Sequence, residues 1–171
     1  MTGGRALQGD ARLERADLTF LQRGEMIEKT EWAHDFDWSQ IKTLATYMDA
    51  WRVRQGEVII REGGTDAFMV LIIQGTVHIT KEDSHQVPKV STTLGPGKTF
   101  GEMSLIDNVP RSASARTGSE ALLFILTEET FKRLIRETPH PGVQITLLKI
   151  AKLMSQPLRQ TSGRLIDCVE A

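Results

Sequence analysis

Hydrophobic residues change their spacing twice along the 171-residue chain. In "DLTFLQRGEMIEK", which starts at Asp17, Leu18, Leu21, Met26 and Ile27 recur at a weakly helical spacing. "DWSQIKTLATYM" is a stronger helix, with Ile41, Leu44, Ala45 and Met48 on one face and Asp37 or Ser39 as its cap. Trp32, Phe36 and Trp38 cluster around these segments and read as packing anchors. Residues 1 to about 15 are rich in Gly, Arg and Asp and read as loose.

Between Ala50 and Thr127 the period shortens. The β-rich runs "WRVR", "VII", "AFMVLII", "TVHIT", "KVSTTL", "SASART" and "ALLFIL" are separated by glycine turns. Strands at this spacing predict a sandwich or barrel-like roll. Gly56, Gly63, Gly75 and Gly97 are expected at positive φ and inform on fold alone. After the roll the helical period returns. "TEETFKRLIRE" opens on a Thr127/Thr130 capping pattern, and "PGVQITLLKIAKLM" places Val143, Leu147, Ile150, Ala151 and Met154 on one face until Pro157. The predicted fold is mainly β, an antiparallel β-roll or jelly-roll with N-terminal helices and two C-terminal helices. Its expected divisions are a loose or helical segment (1–34), the roll with its helices (35–156) and a tail (157–171).

Length and composition limit the function classes. The chain fits one domain, and a domain of this size buries enough surface to hold a core without staples. Cys168 is the single cysteine, so neither a disulfide framework nor a cysteine-ligated metal cluster can be built. Lys and Arg total 21 against 22 Asp and Glu, which leaves no global basic footprint for nucleic acid. The N-terminus "MTGGRALQGDARLER" lacks the apolar stretch of a secretory signal, and no run approaches the ~18–20 residues of a membrane span. The expectation is a cytoplasmic protein with no DNA and no membrane partner.

The candidate chemistry lies in "FGEMSLIDNVPRSASA", Phe100 to Ala115. Gly101 turns the chain, and a short helix from about Glu102 to Asp107 can follow. Its first backbone N–H groups lack helical partners and form an anion site. Arg111 offers a planar fork to two phosphate oxygens, and Ser112 adds a hydroxyl and an N–H beside it. Glu102, acceptor-only when ionised, suits a hydroxyl donor near that phosphate. A phosphate with a free sugar hydroxyl beside it is a ribose phosphate. The simpler alternative is a turn closed by a surface Glu102–Arg111 ion pair. Met103 and Leu105 read as core.

This stretch resembles the phosphate-binding cassette of cyclic nucleotide-binding domains, as in the catabolite activator protein and protein kinase A regulatory subunits. "FGEMSL", "IDNV" and "PRSASA" match its F-G-E-(aliphatic)-(small)-L, variable turn and P-R-(Ser/Thr/Ala)-A. "VRQGEVIIREGGTDAFMVLIIQGTVHI" matches the family's first strands, their glycines and the Asp66 position, so the resemblance covers roughly residues 35–155. It implies that Glu102 accepts the ribose 2′-hydroxyl and that Arg111 pairs with the cyclic phosphate. The N–H groups of Gly101, Ser104 and Ser112 would line the anion pocket, and the Ser112 hydroxyl would touch phosphate or base.

The implied function is a regulatory module, not an enzyme. It has no metal and no cofactor beyond its ligand, cAMP before cGMP. The C-terminal helix would cover the base with a residue among Leu147, Leu148, Lys149 and Ile150, so its position would depend on occupancy. Too few residues follow Pro157 for a helix-turn-helix, so an unidentified effector protein is expected to read the switch unless the chain is a fragment of something longer. The Val143–Met154 seam serves either a homodimer or the core. A second reading keeps the roll as a degenerate scaffold for protein interaction that binds no nucleotide. The third, a metal-dependent enzyme on a similar roll, needs converging ligands. His34, His78, His85 and His140 form no His-x-His, and His78 is expected on the polar face of its strand.

Overall fold

The computed structural model describes residues 13–82, 87–107 and 109–137. In chain order these form β1 (Leu13–Arg15), α1 (Phe20–Glu28), a 3-10 turn (Glu31–Ala33), α2 (Trp38–Tyr47), β2 (Asp49–Val53), β3 (Val58–Ile60), β4 (Phe68–Gln74), β5 (Val77–Glu82), β6 (Pro88–Leu94), β7 (Thr99–Phe100), α3 (Ser104–Asp107), β8 (Ser114–Thr117), β9 (Ala121–Thr127) and α4 (Glu128–Glu137). One sheet has the order β1-β2-β9-β4-β7 and the other β3-β8-β5-β6. Every strand pairing is antiparallel. The β-roll with flanking helices is the fold the sequence predicted. The expected second C-terminal helix, with the seam and base-covering residues assigned to it, falls outside the described residues.

Two cores explain why "AFMVLII" and "ALLFIL" are apolar without alternation. Phe68, Val70 and Ile72 of β4, with Leu123 and Ile125 of β9, fill the space between the sheets. Met69 and Leu71, with Leu122, Phe124 and Leu126, point the other way onto the helices. A central strand covered on both faces carries a continuous hydrophobic run. The helical layer supplies Ile27, Ile41, Leu44, Ala45, Met48 and Leu134, so the predicted face of α2 is the buried one.

Caps fix the helix starts. Asp37, rather than Ser39, caps α2: its Oδ1 accepts from Gln40 N at 2.9 Å, and Gln40 Oε1 accepts from Asp37 N at 3.0 Å. Thr19 and Gln22 build the same box on α1. Thr130 N donates to Thr127 Oγ1 at 3.2 Å, as the Thr127/Thr130 pattern predicted. Arg23 ties α1 to its surroundings through the carbonyls of Ala45 (2.9 Å) and Leu18 (2.5 Å).

Some local expectations fail. Leu13–Arg15 is a strand paired with β2 rather than loose chain. Leu21 is 46% exposed, because α1 turns Gly24 and Ile27 inward instead. Trp32 and Phe36 are buried with ring centroids 5.0 Å apart, while Trp38 stays 37% exposed against Gly24. Gly56, Gly63, Gly75 and Gly97 all have positive φ. At Gly75 space also decides: a Cβ there would stand 2.3 Å from the Glu120 carbonyl oxygen.

Candidate functional site

The site begins where β7 ends. Phe100 is buried opposite Val70, and Gly101 follows at φ +80. A Cβ on Gly101 would lie 2.9 Å from both Arg111 Nη1 and the Phe68 carbonyl oxygen, so torsion and space both require glycine. Glu102 and Met103 make the turn into α3, which starts at Ser104, two residues later than predicted. Ser104 is buried and its hydroxyl donates to the Gly101 carbonyl at 3.1 Å.

Arg111 returns to the same place from the other side. Its N–H donates to Gly64 O, and its carbonyl accepts from Gly63 N, both at 2.8 Å. The side chain is 8% exposed. Nη1 donates to Gly101 O at 2.6 Å and Nη2 to Phe68 O at 2.9 Å. The guanidinium carbon stands 4.6 Å from the Phe68 ring centroid, within cation–π range. A guanidinium has five N–H donors; two serve these carbonyls, and the buried Nε has no partner. Burial pushes the Arg111 pKa down, while the carboxylates of Asp66 and then Glu102 push it up. Arginine remains charged under such shifts.

Glu102 Oε2 is also buried without a partner. Among the described residues no ion pair joins it to Arg111. The ion-pair alternative therefore falls on two counts, since Arg111 is not at the surface either. Main-chain carbonyls hold one N–H of each Nη atom, which leaves three of the five guanidinium donors for other partners.

Gly101, Glu102, Ser104, Arg111 and Ser112 all line one cavity of about 460 Å³. That is in the range of small-molecule sites. Ile60, Ile79 and Phe100 form an apolar wall, and Ser112 is exposed at the edge. Met103, expected in the core, is 46% exposed and faces this cavity, whereas Leu105 is buried as expected. Three contributors had no local signal. The Phe68 carbonyl and ring lie 43 positions from Arg111, and Asp66 and the Gly63–Gly64 turn reach it only through the fold. Among the described residues no group of His, Cys, Asp or Glu is placed to hold a metal ion, and no helix is long and apolar enough to cross a membrane.

Roll, glycine turn and buried arginine together define a β-roll with a cavity of small-molecule size. The profile of the cyclic nucleotide-binding domain matches residues 50–138, and the chain belongs to that family. It is 32% identical over 106 residues to the cyclic AMP receptor protein of Thermus thermophilus, covering 62% of this chain and 47% of that protein. To the cGMP-dependent protein kinase, isozyme 1, of Drosophila melanogaster it is 25% identical over 149 residues, covering 85% of this chain and 19% of the kinase. The chain thus spans about half of one relative and a fifth of the other. A solved cyclic nucleotide-binding domain from Methylobacillus flagellatus shares the fold at a TM-score of 0.74 and 24% identity, over 91% of this chain and 88% of that one. The family's members are regulatory sensors, and relatives of this chain are named for cAMP and for cGMP.

Proposed function

We propose that residues 35–156 form a sensory module that binds a cyclic mononucleotide, cAMP in preference to cGMP. The observation that carries this reading is the pair of buried, unpartnered polar atoms, Glu102 Oε2 and Arg111 Nε, on residues lining one cavity. Unpaired buried polar atoms cost about 1–3 kcal/mol each, and a ligand with an anionic end and a hydroxyl end relieves both. Arg111 pairs with the cyclic phosphate, helped by the N–H groups of Gly101, Ser104 and Ser112. Glu102 accepts the ribose 2′-hydroxyl. The apolar wall of Ile60, Ile79 and Phe100 suits the uncharged parts of the ligand.

Charge sets the selectivity. A cyclic monophosphate brings one negative charge, which one guanidinium balances. A nucleoside triphosphate brings surplus charge into a partly desolvated site. Occupancy repositions the C-terminal helix that covers the base, and an effector protein reads that position. The module performs no chemistry on its ligand.

The degenerate-scaffold reading has one observation in its favour. Arg111 already ties β4 to the Gly101 turn, which is a structural reason to retain it without any ligand. Titration calorimetry with cAMP, cGMP and a cyclic dinucleotide separates the two. Saturable cAMP binding that Arg111→Ala weakens supports the sensor. Absence of binding supports the scaffold, and undiminished affinity in Arg111→Ala overturns the assigned site.

A further inference from the structure

A second cavity, of about 690 Å³, shares no lining residue with the one around Arg111. It lies between the end of α1 and the turns that follow β4 and β6. Main-chain hydrogen bonds hold both walls. Gly97 N donates to Ile72 O at 2.7 Å and Ile72 N to Lys98 O at 3.0 Å, which ties the turn before β7 to β4. On the α1 side, Thr30 N donates to Ile27 O at 2.9 Å and the Thr30 hydroxyl to the same carbonyl at 2.7 Å. The walls meet at Gly97, where a Cβ would lie 3.6 Å from both Glu31 N and Thr30 Cβ. The fold therefore presents this cavity ready-made.

Its lining is amphipathic. Met26, Ile73 and Pro96 supply apolar surface, the first two packed half-buried against the helical core. The charged lining residues are Lys29, Lys98 and Glu31, two cations against one carboxylate, on a chain whose net charge is -1. Lys98 Nζ stands 3.5 Å from Glu31 Oε2, but these side chains are 59% and 83% exposed, and such a pair holds its partners weakly. Among the described residues no carboxylate pairs with Lys29. Glu25 and Glu28, exposed on α1, lie outside the lining. Lys29, Pro96 and Lys98 are all exposed, so the cavity is an open groove. An open groove suits a side chain presented by another protein's surface, whereas small-molecule sites enclose most of their ligand.

We propose that this groove docks an acidic peptide segment of a partner protein, one that carries an aliphatic residue next to an Asp or Glu. The carboxylate takes Lys29 and Lys98 as its donors, and the aliphatic side chain covers Met26, Ile73 and Pro96. Glu31 repels a second negative charge close by, which sets the site apart from one for polyanions such as nucleic acid. Nothing in this reading depends on nucleotide binding at Arg111.

Amide NMR on the full chain tests it with two capped dipeptides, N-acetyl-Leu-Glu-amide and N-acetyl-Leu-Gln-amide. The Glu probe should give saturable shifts at Gly97 and Lys98, and the Gln probe should bind about fivefold more weakly, as expected for the loss of two exposed charge pairs. Lys29→Glu and Lys98→Glu, both at exposed positions, should each remove that preference, read at Gly97, while the rest of the spectrum is unchanged. Absence of a saturable shift, or equal affinity for the two probes, overturns the proposal. So does a preference retained in both charge reversals. Acetate that saturates the same amides as tightly as the Glu probe also overturns it, by making the groove a bare anion site.

Discussion

Arg111 and Gly101 behave as one structural unit. Arg111 Nη1 donates to the Gly101 carbonyl at 2.6 Å, and a Cβ on Gly101 would stand 2.9 Å from that same nitrogen. The glycine turn and the guanidinium are therefore packed and hydrogen-bonded against each other. Gly101→Ala is expected to expel the guanidinium from its place against Phe68. It also forces a non-glycine residue into a left-handed conformation, which costs roughly 1–2 kcal/mol. Cyclic nucleotide affinity should fall more than tenfold while the circular dichroism spectrum keeps its β-rich form. Wild-type affinity in this variant would show that the turn relaxes without disturbing Arg111.

Arg111 also has a role that needs no ligand. It is the donor that links β4, through Phe68 O, to the segment after β7, through Gly101 O. Hydrogen bonds from a charged group contribute about 1.5–3 kcal/mol each, offset here by the cost of burying the guanidinium. Arg111→Ala is therefore expected to lower the melting temperature in the absence of nucleotide. Arg111→Lys should be as unstable or nearly so, because one ammonium cannot reach two carbonyls in the geometry of the fork. Thermal scans of the ligand-free proteins check both. An unchanged melting temperature in Arg111→Ala would mean that the two carbonyls find other donors.

That double duty marks the limit of what the sequence makes legible. "FGEMSL" and "PRSASA" identify the residues around the cavity because they are close in sequence and carry distinctive chemistry. Asp37 as a cap and the positive φ of Gly63 and Gly97 are legible for the same reason, since caps and turns are local. The tie from Arg111 to Phe68 is not, because it joins positions brought together only when β4 and the cassette pack. Met103 misleads because an aliphatic position beside a glycine turn can face core or cavity, and only the start of α3 at Ser104 decides. β1 is missed because "LER" has no apolar alternation and becomes a strand only by pairing with β2.

Gly75 tests the fold apart from the site. It turns β4 into β5 at φ +85, and a Cβ would meet the Glu120 carbonyl oxygen at 2.3 Å and Ala121 Cα at 2.8 Å. Both neighbours are backbone, so no flexible side chain can give way. Gly75→Ala should combine a left-handed penalty of roughly 1–2 kcal/mol with overpacking of about 1–3 kcal/mol. Chemical denaturation should show a loss of that combined size. The folded fraction should bind cAMP like wild type, since Gly75 lies outside the cavity lining. A variant as stable as wild type would mean that the β4–β5 and β8–β9 turns can separate.

The assignment of Glu102 can be tested by pairing a change in the protein with a change in the ligand. Glu102 Oε2 is buried without a partner, and the ribose 2′-hydroxyl is the donor proposed for it. Removing that hydroxyl, with 2′-deoxy-cAMP, should weaken wild-type binding by about tenfold or more, because a buried carboxylate left unpaired costs about 1–3 kcal/mol or above. Glu102→Ala should weaken cAMP comparably. In Glu102→Ala the deoxy ligand should then bind about as well as cAMP, since the group it leaves unpaired is gone. Glu102→Gln, which keeps an acceptor oxygen, should fall between. A coupling of about 1 kcal/mol or more in this cycle places the carboxylate and the hydroxyl in contact. Additive losses, with the deoxy ligand penalised equally in both proteins, would remove Glu102 from the ribose and leave Arg111 as the one proposed anchor still standing.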